Sequence, residues 1–406
     1  MIKYIPYVKN YTNGKMEDTN MANTFISNSI IYVGCDDKTL DLFESQYEIP
    51  NGVSYNSYLI LDEKTCLMDS VDMRAKDEWL EKVEKALNGR NLDYLVISHM
   101  EPDHAGSLAD LIAKYPDVNV VGNAKTFQYY TQFFGKDIAN KVTVKENDTL
   151  ELGGHTLTFV MAPMVHWPEV MVSYESSEKV LFSADRFGKF GALDVDEDWA
   201  CEARRYYFNI VGKYGAQVQA LLKKAAKLDI ETICPLHGPI LNENLGYYID
   251  KYNTWSSYAA EDKGIMVAYA SIHGNTAKAA NKLAEVLEAK GAERVVIADL
   301  ARCDMAEAVE DAFRYDRLVV CCPTYDGGLF PVMEDFLNHL KAKTYRSRKV
   351  GIMENGTWAP MSGKLMAAYF EGMKDITLCE NRVSVKSALN AASEEQLNAL
   401  ADELLA

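Results

Sequence analysis

The sequence predicts a two-domain α/β protein, with helix-covered mixed sheets first and a doubly wound parallel sheet after them. Three observations carry this. The chain has 406 residues, more than one ordinary core organises. Its pattern changes once, near Asn253 to Gly264, where Glu261-Asp-Lys-Gly reads as a polar joint and Ile265-Met-Val-Ala-Tyr-Ala begins a fresh buried strand. Short strands come in antiparallel-looking runs before the joint, and strands alternate regularly with helices after it.

In the first part, strands are expected over 54–61, 156–161, 170–174 and 180–183. Helices are expected over 77–87 and 203–228, and a helical stretch closes at Asn253-Thr-Trp-Ser-Ser-Tyr. In the second part the expected order is strand 265–270, helix 276–290, strands 295–298 and 317–322, helix 330–340, strand 349–354, strand 383–386 and helix 394–405. Such alternation means a parallel sheet with ligands beyond the carboxyl ends of its strands. The divisions so set are an N-terminal extension, 1–20, and domains over 21–260 and 261–406. The extension carries Lys3, Lys9, Lys15, Glu17 and Asp18 and lacks the apolar centre of a secretory signal. Met21 is an alternative start.

No stretch approaches the roughly 20 apolar residues that span a bilayer, so a cytoplasmic location is expected. A formal net charge of −17 repels phosphate backbones and anionic membranes, which argues against nucleic-acid and membrane partners. The cysteines, at 35, 66, 201, 234, 303, 321, 322 and 379, form no Cys-x-x-Cys pair. That argues against an iron–sulfur, rubredoxin-type or zinc-ribbon site in this chain, and core packing is the expectation for them.

The strand pattern Tyr94-Leu-Val-Ile-Ser runs into His99-Met-Glu-Pro-Asp-His104, which places His99, Glu101, Asp103 and His104 at a strand end. Residues two apart in extended chain share a face, so His99 and Glu101 can reach one metal. Asp103 and His104, past the turn at Pro102, can reach a second. His166, Asp185 and His237 each follow another apolar strand pattern. An unpaired buried carboxylate is too costly to keep without a cation, so these seven are read together as a two-metal site. His155 and His339 are read as ordinary core or surface histidines.

His-x-Glu-x-Asp-His with distant His, Asp and His resembles the metallo-β-lactamase superfamily in its flavodiiron branch. The hydrolases of that superfamily carry His-x-His-x-Asp-His and usually hold zinc. Glu101 stands where they have the second histidine, and an added anionic oxygen suits iron. The resemblance implies that His99, Glu101 and His166 bind one iron, that Asp103, His104 and His237 bind the other, and that Asp185 bridges. Val165-His-Trp-Pro, Ser183-Ala-Asp-Arg-Phe-Gly, Ala203-Arg-Arg-Tyr-Tyr-Phe-Asn-Ile and Pro235-Leu-His-Gly-Pro also look like the family's segments. Met21 to Asn56 reads like its usual start. Trp167 and Tyr206 are candidates to line the reaction pocket, with ordinary aromatic packing the competing reading of each.

After strand 265–270, Ser271-Ile-His-Gly-Asn-Thr276 opens a helix. Small hydroxyl residues and glycine there make an anion cradle of backbone N–H groups. On the first strand of a doubly wound domain it resembles the flavodoxin phosphate loop. His273 departs from the family, which more often has a small residue in its place. Pro323, Thr324, Tyr325, Asp326 and Gly327 follow the third strand, and Asn355, Gly356, Thr357 and Trp358 follow the fourth. Both segments are read as glycine loops whose aromatic can stack on an isoalloxazine ring. One phosphate cradle without Gly-x-Gly-x-x-Gly favours FMN over a dinucleotide.

The resemblance runs from about residue 21 to the end. It implies a metallo-β-lactamase-like αβ/βα sandwich followed by a flavodoxin-like domain, with FMN and two irons as cofactors. The implied activity is reduction of dioxygen to water or of nitric oxide to nitrous oxide. The chain ends after its flavodoxin-like unit, so the expected electron donor is an external one, rubredoxin or a similar small protein. Domains of this size place the two centres some 30 Å apart in one chain, and the family's head-to-tail homodimer is expected to close that gap. The alternatives are a zinc hydrolase with a flavodoxin regulator, which iron content separates, and a redox carrier without turnover, which gas consumption excludes.

Overall fold

The computed structural model describes residues 26–406. The extension at 1–20, and the Met21 start with it, lie outside the described residues.

Two mixed sheets face each other in the first part. One runs in the order Ile30–Tyr32, Tyr58–Leu61, Thr65–Met68, Tyr94–Val96, Asn119–Gly122, Lys141–Thr143, and the other Thr149–Glu151, Thr156–Met161, Met171–Glu175, Val180–Phe182, Thr232–Cys234. Between them lies a core that includes Ile30, Ile60, Val96, Phe159 and Phe182. Alternation along the strands explains this, since every second side chain meets the facing sheet.

The third sheet is parallel, in the order Val295–Asp299, Asp262–Tyr269, Tyr315–Tyr325, Lys349–Asn355, with Thr377–Leu378 and Val383–Val385 beside the last. This is the flavodoxin-like strand order. Helices Asn275–Ala289 and Ala391–Leu405 cover one face through Leu283, Leu287, Leu397, Leu400 and Leu404. Met305–Arg314, Pro331–Ala342 and Ser362–Glu371 cover the other. Among the described residues no helix is long and apolar enough to cross a membrane. All eight cysteines are free, and six are buried.

The structure departs from the sequence reading at five places. The strand expected over 54–61 is two, Val53–Tyr55 and Tyr58–Leu61. Asn56 breaks it because its backbone and side chain are claimed by the loop around His237. Its N–H donates to the Leu236 carbonyl at 2.8 Å, and its amide donates to the Pro235 and Gly238 carbonyls at 2.8 Å each. The single helix expected over 203–228 is Trp199–Tyr206, a π-helical turn Tyr207–Val211, a short 3₁₀ turn Gly212–Tyr214, and Gly215–Ala225. Gly215 sits where a Cβ would lie 2.4 Å from the Ser256 carbonyl oxygen, so the bend lets helix Leu245–Ser256 approach. Helices Met305–Arg314 and Ser362–Glu371 are missing from the sequence reading, although Met305, Val309 and Phe313 in the one and Leu365, Met366, Tyr369 and Phe370 in the other recur at helical spacing.

The joint is not loose, because the Glu261 side chain is almost enclosed and Asp262 already begins a strand. Finally, the segment after the third strand is no open loop. That strand continues to Tyr325 and folds back on Gly328–Leu329 through Asp326 (φ 50°) and Gly327 (φ 74°), a pair of left-handed residues suited to a tight hairpin.

The two halves meet through charge and rings. Arg204 is almost wholly buried, bonded through Nε to the buried Glu310 carboxylate and through Nη1 to Glu261 Oε1 at 3.0 Å. Glu261 also accepts from Lys251 Nζ and Trp255 Nε1, each at 2.6 Å. Burial works against the Arg204 charge, but the Glu310 and Glu261 carboxylates outweigh it and raise the guanidinium pKa. Phe208 stacks on Phe313 at 4.3 Å, so one apolar cluster crosses from half to half.

Candidate metal centre

The strands deliver the candidate ligands to one end of the sandwich. His99 follows Tyr94–Val96 of the first sheet, while Asp185 and His237 follow the neighbouring strands Val180–Phe182 and Thr232–Cys234 of the second. Ala184 (φ 51°) and Phe187 (φ 64°) take left-handed backbone on either side of Asp185. The Ala184 carbonyl accepts from the Leu236 N–H at 2.9 Å, which fixes the Asp185 turn against the His237 loop.

The seven residues come together as two groups. His99, Glu101, His166 and Asp185 each bring one ligand atom within 4.8 Å of the rest, and so do Asp103, His104 and His237. Asp185 reaches both. Its Oδ2 lies 3.4 Å from His99 Nε2 and from His166 Nε2, while its Oδ1 lies 3.1 Å from His104 Nε2. Glu101 Oε2 is 3.1 Å from His99 Nε2 and 2.9 Å from His166 Nε2. Asp103 Oδ2 is 3.4 Å from His104 Nε2 and 3.2 Å from His237 Nε2. Ligand atoms about 2.0–2.2 Å from a shared ion lie roughly 3–3.5 Å from one another, so these spacings suit metals.

The fit can be tested on the polar atoms. Both Asp185 oxygens, both Asp103 oxygens, both His104 nitrogens and His237 Nε2 are buried without a hydrogen-bond partner. Such atoms are costly to hide unless a cation meets them.

Outer partners set the tautomers. His99 Nδ1–H donates to Glu169 Oε1 at 2.8 Å, and His237 Nδ1–H donates to the Ser54 carbonyl at 2.7 Å. Each bond leaves Nε2 bare toward the centre. Glu169 Oε1 also accepts from the Met100 N–H at 2.9 Å. Behind His99, Asp69 Oδ1 accepts from the Ser98 N–H at 2.6 Å, and burial pushes the Asp69 carboxyl up to about 6. Sequence reasoning missed Glu169, Asp69 and Ser54. The one signal was that Glu169 follows His166 in the same short loop.

Glu169→Ala is expected to weaken metal affinity about 10–100-fold, the usual cost of an outer-shell loss. Glu169→Gln keeps an acceptor for both N–H groups and should lose less. Chelator competition on purified protein reads both.

Charge in the cluster gives a pH dependence. Burial opposes the His166 charge, but Asp185 and Glu101 outweigh it and hold the imidazolium up to about 9, against an ordinary 6.5. In metal-free protein this contributes stability that is full below about 6.5 and lost as pH rises through 9. A metal needs the neutral ring, so loading must expel that proton. Metal affinity should therefore climb between pH 7 and 9 while the melting temperature of metal-free protein falls. Titration with redox-silent zinc, with proton release followed by a dye, checks the pair of trends.

Trp167 lies with its ring 5.3 Å from His99 and 6.3 Å from His166, stacked on Phe133. Tyr206 is buried 5.6 Å from His237, beside Phe190 and Phe43. His155 sits apart between Asp62 and Glu178, and His339 is on helix Pro331–Ala342 near Asp335.

A second constellation occupies the carboxyl edge of the parallel sheet. Ser271 Oγ accepts from the Gly274 and Ala277 N–H groups at 3.1 and 3.2 Å, and Gly274 (φ 85°) caps helix Asn275–Ala289. His273 is exposed. Asn355 Nδ2 donates to the buried Thr276 Oγ1 at 3.3 Å, tying the first turn to the last. Thr324 Oγ1 accepts from the Met361 and Ser362 N–H groups, tying in the hairpin that begins at Pro323. Ser387, unforeseen in sequence, donates to Asn355 Oδ1 and Thr357 Oγ1. Tyr325 and Trp358 are exposed, Trp358 by 82%. Gly356 and the pair Asp326–Gly327 complete the rim.

The chain matches two family models, ODP family beta lactamase over residues 53–238 and Flavodoxin domain over 266–372. It is 30% identical to the anaerobic nitric oxide reductase flavorubredoxin of Klebsiella pneumoniae, over 85% of this chain and 75% of that protein. Among solved structures, rubredoxin oxygen:oxidoreductase from Desulfovibrio gigas superposes with a TM-score of 0.87 at 29% identity, covering 94% of this chain and 97% of that one. The flavodiiron protein from Giardia intestinalis shares the fold, with a TM-score of 0.88 at 24% identity over 97% and 98%.

Proposed function

Since the chain belongs to the flavodiiron proteins, an oxidoreductase family whose cofactors are FMN and a diiron centre, we propose that it reduces dioxygen to water or nitric oxide to nitrous oxide. The observation that carries this reading is Asp185, whose two oxygens face the two groups of ligands. Bound iron supplies Lewis acidity and electrons to a diatomic ligand. Bound FMN supplies electrons singly or in pairs. The protein's own part is to hold and orient. His99, Glu101 and His166 form one site, Asp103, His104 and His237 the other, and Glu169 and the Ser54 carbonyl fix two of the imidazoles. Trp167 and Tyr206 wall the centre with apolar surface that limits water.

The flavin is assigned to Ser271, His273, Gly274, Asn275 and Thr276 at its phosphate, with Pro323 to Gly327 and Asn355 to Trp358 around the ring. Trp358→Ala should weaken FMN binding roughly 2- to 10-fold, the worth of one aromatic stack, and flavin fluorescence titration measures it. Ile272, Tyr325, Trp358 and Met361 leave an exposed apolar rim here. That rim supports a head-to-tail homodimer with the flavin of one chain beside the metals of its partner. The donor is placed as rubredoxin or a similar small protein, and the compartment as the cytoplasm.

Anaerobic stopped flow tests the function. Fully reduced, iron-loaded protein is mixed with dissolved dioxygen or nitric oxide, and flavin reoxidation is followed. Fast reoxidation by either gas is the expected result. Sluggish reaction with both, or zinc in place of iron in active protein, overturns it.

A further inference from the structure

Arg186 directly follows Asp185, the carboxylate that faces both groups of candidate ligands. Its N–H donates to the Ser183 carbonyl at 3.2 Å, and its carbonyl accepts from Ser183 Oγ at 2.7 Å, so the turn is closed on itself. The side chain is 2% exposed. Nε, Nη1 and Nη2 are all buried, and among the described residues none of them has a hydrogen-bond partner. Arg204 is buried to the same degree but is held by the Glu310 and Glu261 carboxylates.

Arg186 lines a void of about 20 Å³ with Val172, Leu181, Val218 and Leu221. That is room for about one water, too little to solvate the several N–H donors of a guanidinium. An arginine keeps its proton even in a protein interior, so this is a standing positive charge in apolar surroundings. Burial lowers the guanidinium pKa, and Asp185 is foremost among the groups that oppose the shift. An unpaired buried charge is costly, and one kept beside a metal centre calls for a role there.

We propose that Arg186 is a positioning residue that holds a fixed positive charge beside Asp185 and so favours the lower oxidation state of the bound metals. The inference rests on the reading of the seven ligands as a diiron site. An iron that passes from ferric to ferrous takes up one electron and sheds one unit of positive charge. A neighbouring cation repels the ferrous form less, and with little water between them the difference is weakly screened. The same repulsion loosens the hold on any divalent ion.

Two neutral variants, Arg186→Met and Arg186→Gln, test this. The first is apolar and the second keeps hydrogen-bonding groups, so an effect that they share belongs to the charge. Chelator competition with zinc, which has no redox chemistry, should show several-fold tighter binding in both. Redox titration of the iron- and FMN-loaded protein, followed by electron paramagnetic resonance, should place the iron couple at a lower potential, with the flavin couple moved less. Loosened packing alone would weaken zinc binding, which is the opposite sign. FMN content and melting temperature show whether each variant folds, and Arg186→Gln carries the test should Arg186→Met not. Wild-type zinc affinity and iron potential in a folded variant overturn the proposal, and mean that water or a trapped anion already neutralises the guanidinium. Weaker zinc binding in both overturns it too. Wild-type protein that takes up no pair of ions, whether iron or zinc, defeats the diiron reading, and the proposal with it.

Discussion

Asp185→Asn is expected to remove gas reduction while leaving flavin binding intact. Three carboxylates, Glu101, Asp103 and Asp185, offset three of the four positive charges of two divalent ions, and of the three Asp185 has oxygens near both groups. The amide removes one negative charge and turns an N–H₂ donor toward a cation or an imidazole. On the proposed assignment the other six residues divide three to each ion, so none of them bridges. Activity should fall by more than about 100-fold, beyond the upper end of what an outer-shell change costs. Iron per chain should drop below two, while FMN content and the rate of flavin reduction stay at wild-type values. Full iron with near-native turnover would falsify the bridging role.

The second large effect is on stability. Arg204→Leu strands Glu310 in the seam between the halves, while Glu261 keeps Lys251 and Trp255, and breaking a buried pair from one side costs about 3–5 kcal/mol. For domains of this size that is on the order of 10 °C in melting temperature. The cost comes from the Glu310 carboxyl left behind, so Arg204→Leu with Glu310→Leu should recover much of it. The measurement is thermal unfolding followed by calorimetry and by flavin fluorescence together. A single variant that melts within a degree or two of wild type would mean that water already screens the pair.

The parts legible in sequence were those set by local pattern. The strand over 156–161 and the helix ending at Leu87 fall where periodicity puts them, because one face of each is apolar and the other is not. The seven metal-site candidates stood out because histidines and carboxylates at strand ends are rare without a reason. What stayed hidden depends on distant partners. Nothing around Asn56 announces that the His237 loop will claim its amide and split a strand. The π-helical turn at Tyr207–Val211 looks like ordinary helix until Asn209 Nδ2 donates to the Arg205 and Ala306 carbonyls. Glu261 reads as a solvated linker residue, and only the fold reveals the Arg204 guanidinium against it.

On the proposed ligand assignment, residues from two sheets make the metals a clasp across the sandwich. His99, Glu101, Asp103 and His104 hang from one sheet, and Asp185 and His237 from the other. Two ions held between them must be released before the sheets part. Iron loading should therefore slow spontaneous unfolding more than it raises the equilibrium midpoint, because the clasp has to open on the way out. A chelator added to folded protein would turn a long-lived chain into one that proteases cut along that seam.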